Sequence, residues 1–318
     1  MAEQAKDLTT FVCANGLFRF RTMPFGLVNS ASSYNRMMRK LLDGLRNLES
    51  YVDDVLAHTK DWRSHMTILR NFFQRVREAN LTLKPKKCQI GFSEIDFLGH
   101  TVMNEKIRPK EESINKIVDM PRPTTKKQIR SFLGAINYYR KFIPNCADIM
   151  KPLTELTKKN AKNIITWNEE LEVSFNQLKN VLSCKPILKL PDVEREFIVR
   201  TDASNRAVGC VLLQEYEGIM HPVAYASKKL TDREKKYAVE EREALALIWG
   251  IQKFHRYLYG REFIMETDHL GLQYLKTGNV RNARVMRWSL ALQDYKFKVR
   301  YIKGNENGMA DYLSRGLD

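Results

Sequence analysis

The sequence predicts a multidomain protein, α+β in its first part and α/β in its last, and three observations carry that reading. Short apolar strands meet at an acidic turn around Asp53 and run into an amphipathic helix. A strongly basic helical stretch follows. After Pro186 and Pro191, strands recur around one long helix, the pattern of a mixed sheet covered by helices. With 318 residues and 43% hydrophobic content, the chain is long enough for two or three domains, each with its own core.

Tyr51-Val52 and Val55-Leu56-Ala57 read as two short strands with Asp53-Asp54 at the turn between them. Residues 65–79 place Ile68, Leu69, Phe72, Phe73, Val76 and Ala79 at helical spacing, so one face of that helix lies on a sheet. Phe97 to Val102 is a further strand or hairpin. From Lys106 to Lys162 the chain holds 14 Lys and Arg against 5 Asp and Glu, a net +9 and more than half of the total of +16. Within this stretch Thr125 and Gln128 are spaced as a capping box for a helix striped by Ile129, Phe132, Leu133 and Ile136. In the last third, 196–201 is a strand ending at Asp202, 208–214 a second and 222–226 a third, with Glu217-Gly218 as a turn. A helix over 240–258 and the strand Phe263-Ile264-Met265 lead to Asp268, and a strand over 297–302 precedes the segment that holds Asp311. The domains expected are 1–105, 106–190 and 191–318.

A charge of +16 and a pI near 9.6 point to a polyanionic partner, because clustered Lys and Arg release counterions from phosphates. Cys13, Cys88, Cys146, Cys184 and Cys210 form no CxxC or Cys/His cluster, the usage of reduced structural thiols rather than a zinc site. No apolar run approaches the roughly 18 residues that cross a bilayer, and the N-terminus carries no signal-peptide pattern. The expectation is a soluble, intracellular protein that does not enter a membrane.

Asp202, Glu243, Asp268 and Asp311 each stand at the end of, or on, a separate element. Asp202 and Asp268 follow strand-forming residues, at the sheet end where ligand sites gather. Glu243 lies one turn before Leu247 on the apolar helix and can point along it toward the sheet edge. Four carboxylates in a small volume raise one another's pKa until a divalent cation removes the conflict, and two such ions suit phosphodiester hydrolysis. Caps, turns and surface charge are the ordinary uses of such acids, and spacing does not decide between these readings. For Asp53-Asp54, ordinary turn chemistry is the same kind of alternative.

Several motifs resemble one family. Tyr51-Val52-Asp53-Asp54 resembles the YxDD signature of reverse transcriptases, and the stretch from Arg19 through Met23-Pro24-Phe25-Gly26-Leu27 to Ala31 resembles a segment of gypsy-type long-terminal-repeat retrotransposons. Phe97-Leu98-Gly99-His100 is similar to their primer grip, and Ser131 to Ile143 with Lys151 to Thr157 is similar to their thumb. Thr201-Asp202-Ala203-Ser204, Glu241-Arg242-Glu243-Ala244, Glu266-Thr267-Asp268-His269 and Asn307 to Arg315 resemble a fused ribonuclease H. This resemblance covers essentially the whole chain in the family's order.

It implies a partial reverse-transcriptase palm, a basic helical thumb and a ribonuclease H-like mixed sheet with helices. By the same resemblance Asp202, Glu243, Asp268 and Asp311 bind two Mg2+ ions that cut RNA in an RNA/DNA hybrid. Asp53 binds the polymerase metals and Asp54 assists. Phe25 and Gly26 lie near nucleotide and template, Lys84 or Lys87 near the triphosphate, and Phe97 and Gly99 at the primer. Apart from the resemblance, the basic aromatic stretch with Arg284, Arg287 and Trp288 leads to the expectation that the two arginines touch the nucleic-acid backbone and that Trp288 is core. The resemblance also implies a further metal-binding aspartate upstream of the Met23 segment, for which neither Asp7 nor Asp43 substitutes. The expectation is therefore a palm truncated at its N-terminus, short of its fingers and doubtful as a polymerase by itself. Template-primer is the second expected partner, and a cytoplasmic particle or the nucleus the expected place. The competing expectation is a catalytically silent, nucleic-acid-binding remnant of a retroelement.

Overall fold

The computed structural model describes residues 2–269 and 283–302. It divides into two compact units, Met1–Ser93 and Glu94–Asp318.

The first unit contains α1 (Glu3–Lys6), the hairpin β1 (Phe11–Cys13) and β2 (Gly16–Phe18), α2 (Ser30–Leu42), the hairpin β3 (Leu48–Tyr51) and β4 (Asp54–Ala57), and α3 (Trp62–Glu78). Helix α3 starts earlier than the apolar stripe alone implies because Asp61 caps it, accepting from the Ser64 N–H at 2.8 Å and the Ser64 hydroxyl at 2.7 Å. Its Phe72 and Val76 meet Met38 and Leu41 of α2 and Leu48 of β3 in a small core. Asp54 is the first residue of β4, paired with Tyr51, so the turn proper is Val52-Asp53 and not the expected Asp53-Asp54.

In the second unit β5 (Ile95–Phe97), β6 (His100–Met103) and β7 (Lys106–Pro109) form an antiparallel sheet. Helices α4 (Glu111–Val118), α5 (Lys126–Tyr138), α6 (Cys146–Ile149), α7 (Lys151–Glu155) and α8 (Glu169–Ser183) follow, and β8 (Leu188–Lys189) returns to pair with β7. The β6–β7 hairpin straddles residue 105, where a change in charge suggested a boundary. Charge composition marks the surface, whereas strand pairing decides what folds together. The expected capping box on α5 is present, with Thr125 accepting from the Gln128 N–H and Gln128 from the Thr125 N–H. Thr125→Ala is expected to cost about 1 kcal/mol, read as a lower thermal midpoint. Ile129, Phe132, Leu133 and Ile136 pack with Phe142, Leu153, Phe175 and Leu178 as one core.

The C-terminal part builds a five-stranded sheet in the order β11-β10-β9-β12-β13, from β9 (Phe197–Ala203), β10 (Ala207–Tyr216), β11 (Ile219–Lys229), β12 (Glu262–Thr267) and β13 (Lys296–Tyr301). Strands β9 to β11 form an antiparallel meander, while β12 runs parallel to both β9 and β13. Helix α9 (Val239–Lys253) covers one face through Ala244, Leu247 and Ile251, against Val199, Cys210, Leu212 and Met265. The helix expected to run unbroken to residue 258 stops at Phe254 and resumes as α10 (His255–Leu258), which buries both Phe254 and Leu258. Helix α11 (Ala283–Leu290) packs beside α9. The helical segment is tied to this sheet: Ser227 on β11 accepts from Arg140 through its carbonyl and from the Ala147 N–H through its hydroxyl, and Lys229 pairs with Glu155 at 2.6 Å. Among the described residues no helix is long and apolar enough to cross a membrane.

Candidate active site

Asp202 on β9, Glu243 on α9 and Asp268 just beyond β12 each place a carboxylate oxygen within 4.8 Å of the others. Strand register produces half of this meeting. The parallel ladder runs from Phe197–Phe263 to Arg200–Glu266, a constant offset of 66, and two residues further the same offset sets Asp268 beside Asp202. Asp202 lies inside β9 rather than at its end, because pairing with β10 continues to Ala203 after the β12 ladder has stopped.

Helix α9 supplies the other half. A Cβ at Gly250 would stand 3.2 Å from Thr201 Cγ2 and 3.3 Å from Cys210 Cβ, so the bare glycine lets the helix backbone settle onto β9 and β10. Glu243 is seven residues earlier, about two turns, and shares that face. A glycine inside a helical pattern is the kind of sequence signal that marks such a close approach. Gly250→Val is expected to destabilise the protein by about 1–3 kcal/mol through overpacking and to weaken the site by lifting α9. Thermal denaturation measures the first effect and metal titration the second.

Burial, then the charges of Asp202 and Asp268, push the Glu243 carboxyl up to about 8, against a hydrogen bond from the Ala203 backbone N–H and the nearby Arg242 guanidinium, which pull it down. The shift favours the protonated carboxyl, and a cation between the three acids would oppose it. Glu243 Oε2, Arg242 Nε and His269 Nδ1 are buried without hydrogen-bond partners, and all three belong to the site or adjoin its acids in the chain. Hard carboxylate oxygens, mutually repelling and not fully satisfied, are a donor set that fits Mg2+. Asp311 lies outside the described residues.

The other expected positions do not join this cluster. Val52 holds the left-handed φ of +55°, a strained conformation for a β-branched residue, and presents Asp53 and Asp54 to solvent. Among the described residues the pair belongs to no cluster of three acids; Asp7 pairs with Arg19 at 2.6 Å, and Asp43 ends α2. Phe25 is fully exposed and Gly26, at φ +88°, faces open space. Lys84 and Lys87 are exposed around a short 3-10 turn. Phe97 and Gly99 flank the β5–β6 turn, whose Leu98 and Gly99 carbonyls accept from the Tyr138 and Tyr139 hydroxyls at 2.6 and 3.0 Å. Arg284 meets Glu241 at 3.1 Å and stacks over Tyr237, which gives it structural work, while Arg287 is exposed and Trp288 packs against the core.

Residues 1–102 match the family model for reverse transcriptase (RNA-dependent DNA polymerase), and residues 192–295 that for the RNase H-like domain found in reverse transcriptase. The chain is 40% identical over 317 residues to the retrovirus-related Pol polyprotein from transposon 297 of Drosophila melanogaster, covering 99% of this chain and 30% of that protein. It is 37% identical to the corresponding polyprotein from transposon 412 of the same fly, covering 98% and 25%, and 31% identical to the transposon Tf2-3 polyprotein of Schizosaccharomyces pombe, covering 97% and 24%. It thus spans less than a third of each of these relatives. A foamy viral protease-reverse transcriptase solved in complex with dsDNA superposes with a TM-score of 0.85 at 25% identity, covering 96% of this chain and 64% of that one. One solved with RNA/DNA hybrid gives 0.82 at 24% identity, covering 96% and 42%, a likeness of fold. Two domain matches in this order, and relatives aligned along nearly its entire length, make the chain a member of the reverse transcriptase and ribonuclease H family of retrovirus-related Pol polyproteins from transposons.

Proposed function

We propose that the C-terminal domain hydrolyses the RNA strand of RNA/DNA hybrids, as the ribonuclease H of a gypsy-type retrotransposon reverse transcriptase. The observation that supports this most is the convergence of Asp202, Glu243 and Asp268 from three elements, where burial and then the two aspartates push the Glu243 carboxyl upward. Asp311 is the fourth ligand in this reading. Two Mg2+ ions bound there would activate water and stabilise the leaving oxygen of a phosphodiester. Asp202, Glu243 and Asp268 would hold the cation through their carboxylate oxygens, and the Ala203 N–H keeps the Glu243 carboxyl turned to β9. Arg242 adds positive charge at the rim.

The partner is RNA/DNA hybrid or template-primer, recognised by backbone charge, duplex shape and the 2′-hydroxyl rather than base sequence. The net charge of +16 and the fold shared with a dsDNA-bound foamy viral enzyme support a nucleic-acid partner. Arg287 and Arg284 are the proposed backbone contacts near the nuclease. Such an enzyme works in a cytoplasmic particle or the nucleus.

RNA-directed DNA synthesis is the second reading, favoured by the strained Val52 turn that presents Asp53 and Asp54. In that reading Asp53 would bind Mg2+ with help from Asp54, Phe25 and Gly26 would meet template and nucleotide, Lys84 or Lys87 the triphosphate, and Phe97 and Gly99 the primer. The polymerase site needs one acid more than the Asp53–Asp54 pair.

Magnesium-dependent cleavage of labelled RNA in a hybrid, run beside single-stranded RNA, tests the first reading. Cleavage of the hybrid alone supports it. Hybrid binding by folded protein with no cleavage would leave the silent remnant as the correct reading.

A further inference from the structure

One ion cluster in the five-stranded sheet takes no part in the chemistry above. Glu266 on β12 is 1% exposed and lies directly across from Arg200 on β9 and from Arg300 on β13. Its Oε2 accepts from Arg200 Nε, and its Oε1 accepts from Arg300 Nε at 2.9 Å and from a second nitrogen of the same guanidinium. One buried carboxylate thereby ties three neighbouring strands together.

Stability alone does not account for such a device. Arg300 stays about half exposed, while desolvating the Glu266 carboxylate and the largely buried Arg200 guanidinium offsets much of their attraction, and apolar side chains of similar volume often serve a fold as well or better. Position is what the cluster supplies. The β9–β12 ladder ends at Arg200–Glu266, so these side chains bridge the last rung that joins the two strands. Asp202 lies two residues beyond it on the same face of β9, about 6.6 Å along the strand, and Asp268 two residues beyond it, just past the end of β12. There β9 pairs with β10, Asp202 opposite Gly209, and no ladder pair joins it to β12. A one-residue slip between β9 and β12 would turn Glu266 to the opposite face of the sheet and shift Asp268 by about 3.3 Å against Asp202.

We propose that Arg200, Glu266 and Arg300 form a register clamp that sets the spacing of Asp202 and Asp268 for divalent cations, with Glu266 as its positioning residue. The proposal rests on the reading of those acids as a metal centre. Its test compares the parent with E266Q and with the triple variant R200M/E266M/R300M, in the chain as described, using Mn2+ as the probe. Calorimetric binding lost in D202N defines the signal of this site. The expected result is a triple variant that stays folded by circular dichroism, binds Mn2+ about 10-fold more weakly, and cleaves hybrid with reduced kcat, unchanged KM and partial recovery at excess Mn2+. Should the triple variant not fold, E266Q and R300M carry the comparison. Folded variants with the parental Mn2+ affinity and kcat would overturn the clamp. A parent that binds Mn2+ at these acids without cleaving hybrid would instead overturn the ribonuclease reading, and the affinity comparison would still decide the clamp.

Discussion

Asp202→Asn is expected to lower hybrid cleavage by about a thousandfold or more while the protein stays folded. Asparagine keeps the size and shape of the side chain but removes an ionised oxygen from a site whose cations stabilise the transition-state charge by several kcal/mol; losing about 4 kcal/mol is a factor near a thousand. The same change relieves Glu243, whose carboxyl is pushed up by Asp202 as well as by burial. Without metal ions the variant should therefore melt at or above the parental temperature, which separates a chemical defect from misfolding. Single-turnover cleavage and thermal denaturation of the same preparations provide the two readings. Parental rates in folded Asp202→Asn protein would remove these acids from the chemistry.

The second large effect is a pH dependence of stability that metal cancels. The ordinary value for Glu243 is 4.5 and its folded value is about 8. Between those limits the folded protein binds more protons than the unfolded chain, so stability falls as pH rises through the window and is fully retained below it. The difference corresponds to roughly 3–5 kcal/mol across the window. Mg2+ favours the ionised carboxyl, so saturating Mg2+ should flatten the profile and release protons on binding. Glu243→Gln should flatten it as well, with no metal present. A metal-free melting profile that does not fall between these limits would refute the assignment of the raised carboxyl.

Local patterning made most elements legible. Thr125 and Gln128 announced the start of α5, the stripe from Ile129 to Ile136 its buried face, and Glu217-Gly218 the turn between β10 and β11, because caps, stripes and turns act over a few residues. Errors arose where a distant partner decided. Asp202 sits within a strand because β10 extends past the β12 ladder, and α9 stops at Phe254 because that ring and Leu258 both enter the core.

Residue patterning along the chain is enough to set Asp202, Glu243 and Asp268 on separate elements of an α/β domain and to mark a basic chain suited to nucleic acid. Patterning does not reveal that residues 66 apart lie on neighbouring parallel strands, that Gly250 lets α9 settle on β9 and β10, or that Glu266 is held between two arginines at the last rung before the acids. Helical and strand periodicities report which face of an element is buried; they carry no information about which strand lies alongside. That choice is made by pairing and packing across the whole domain.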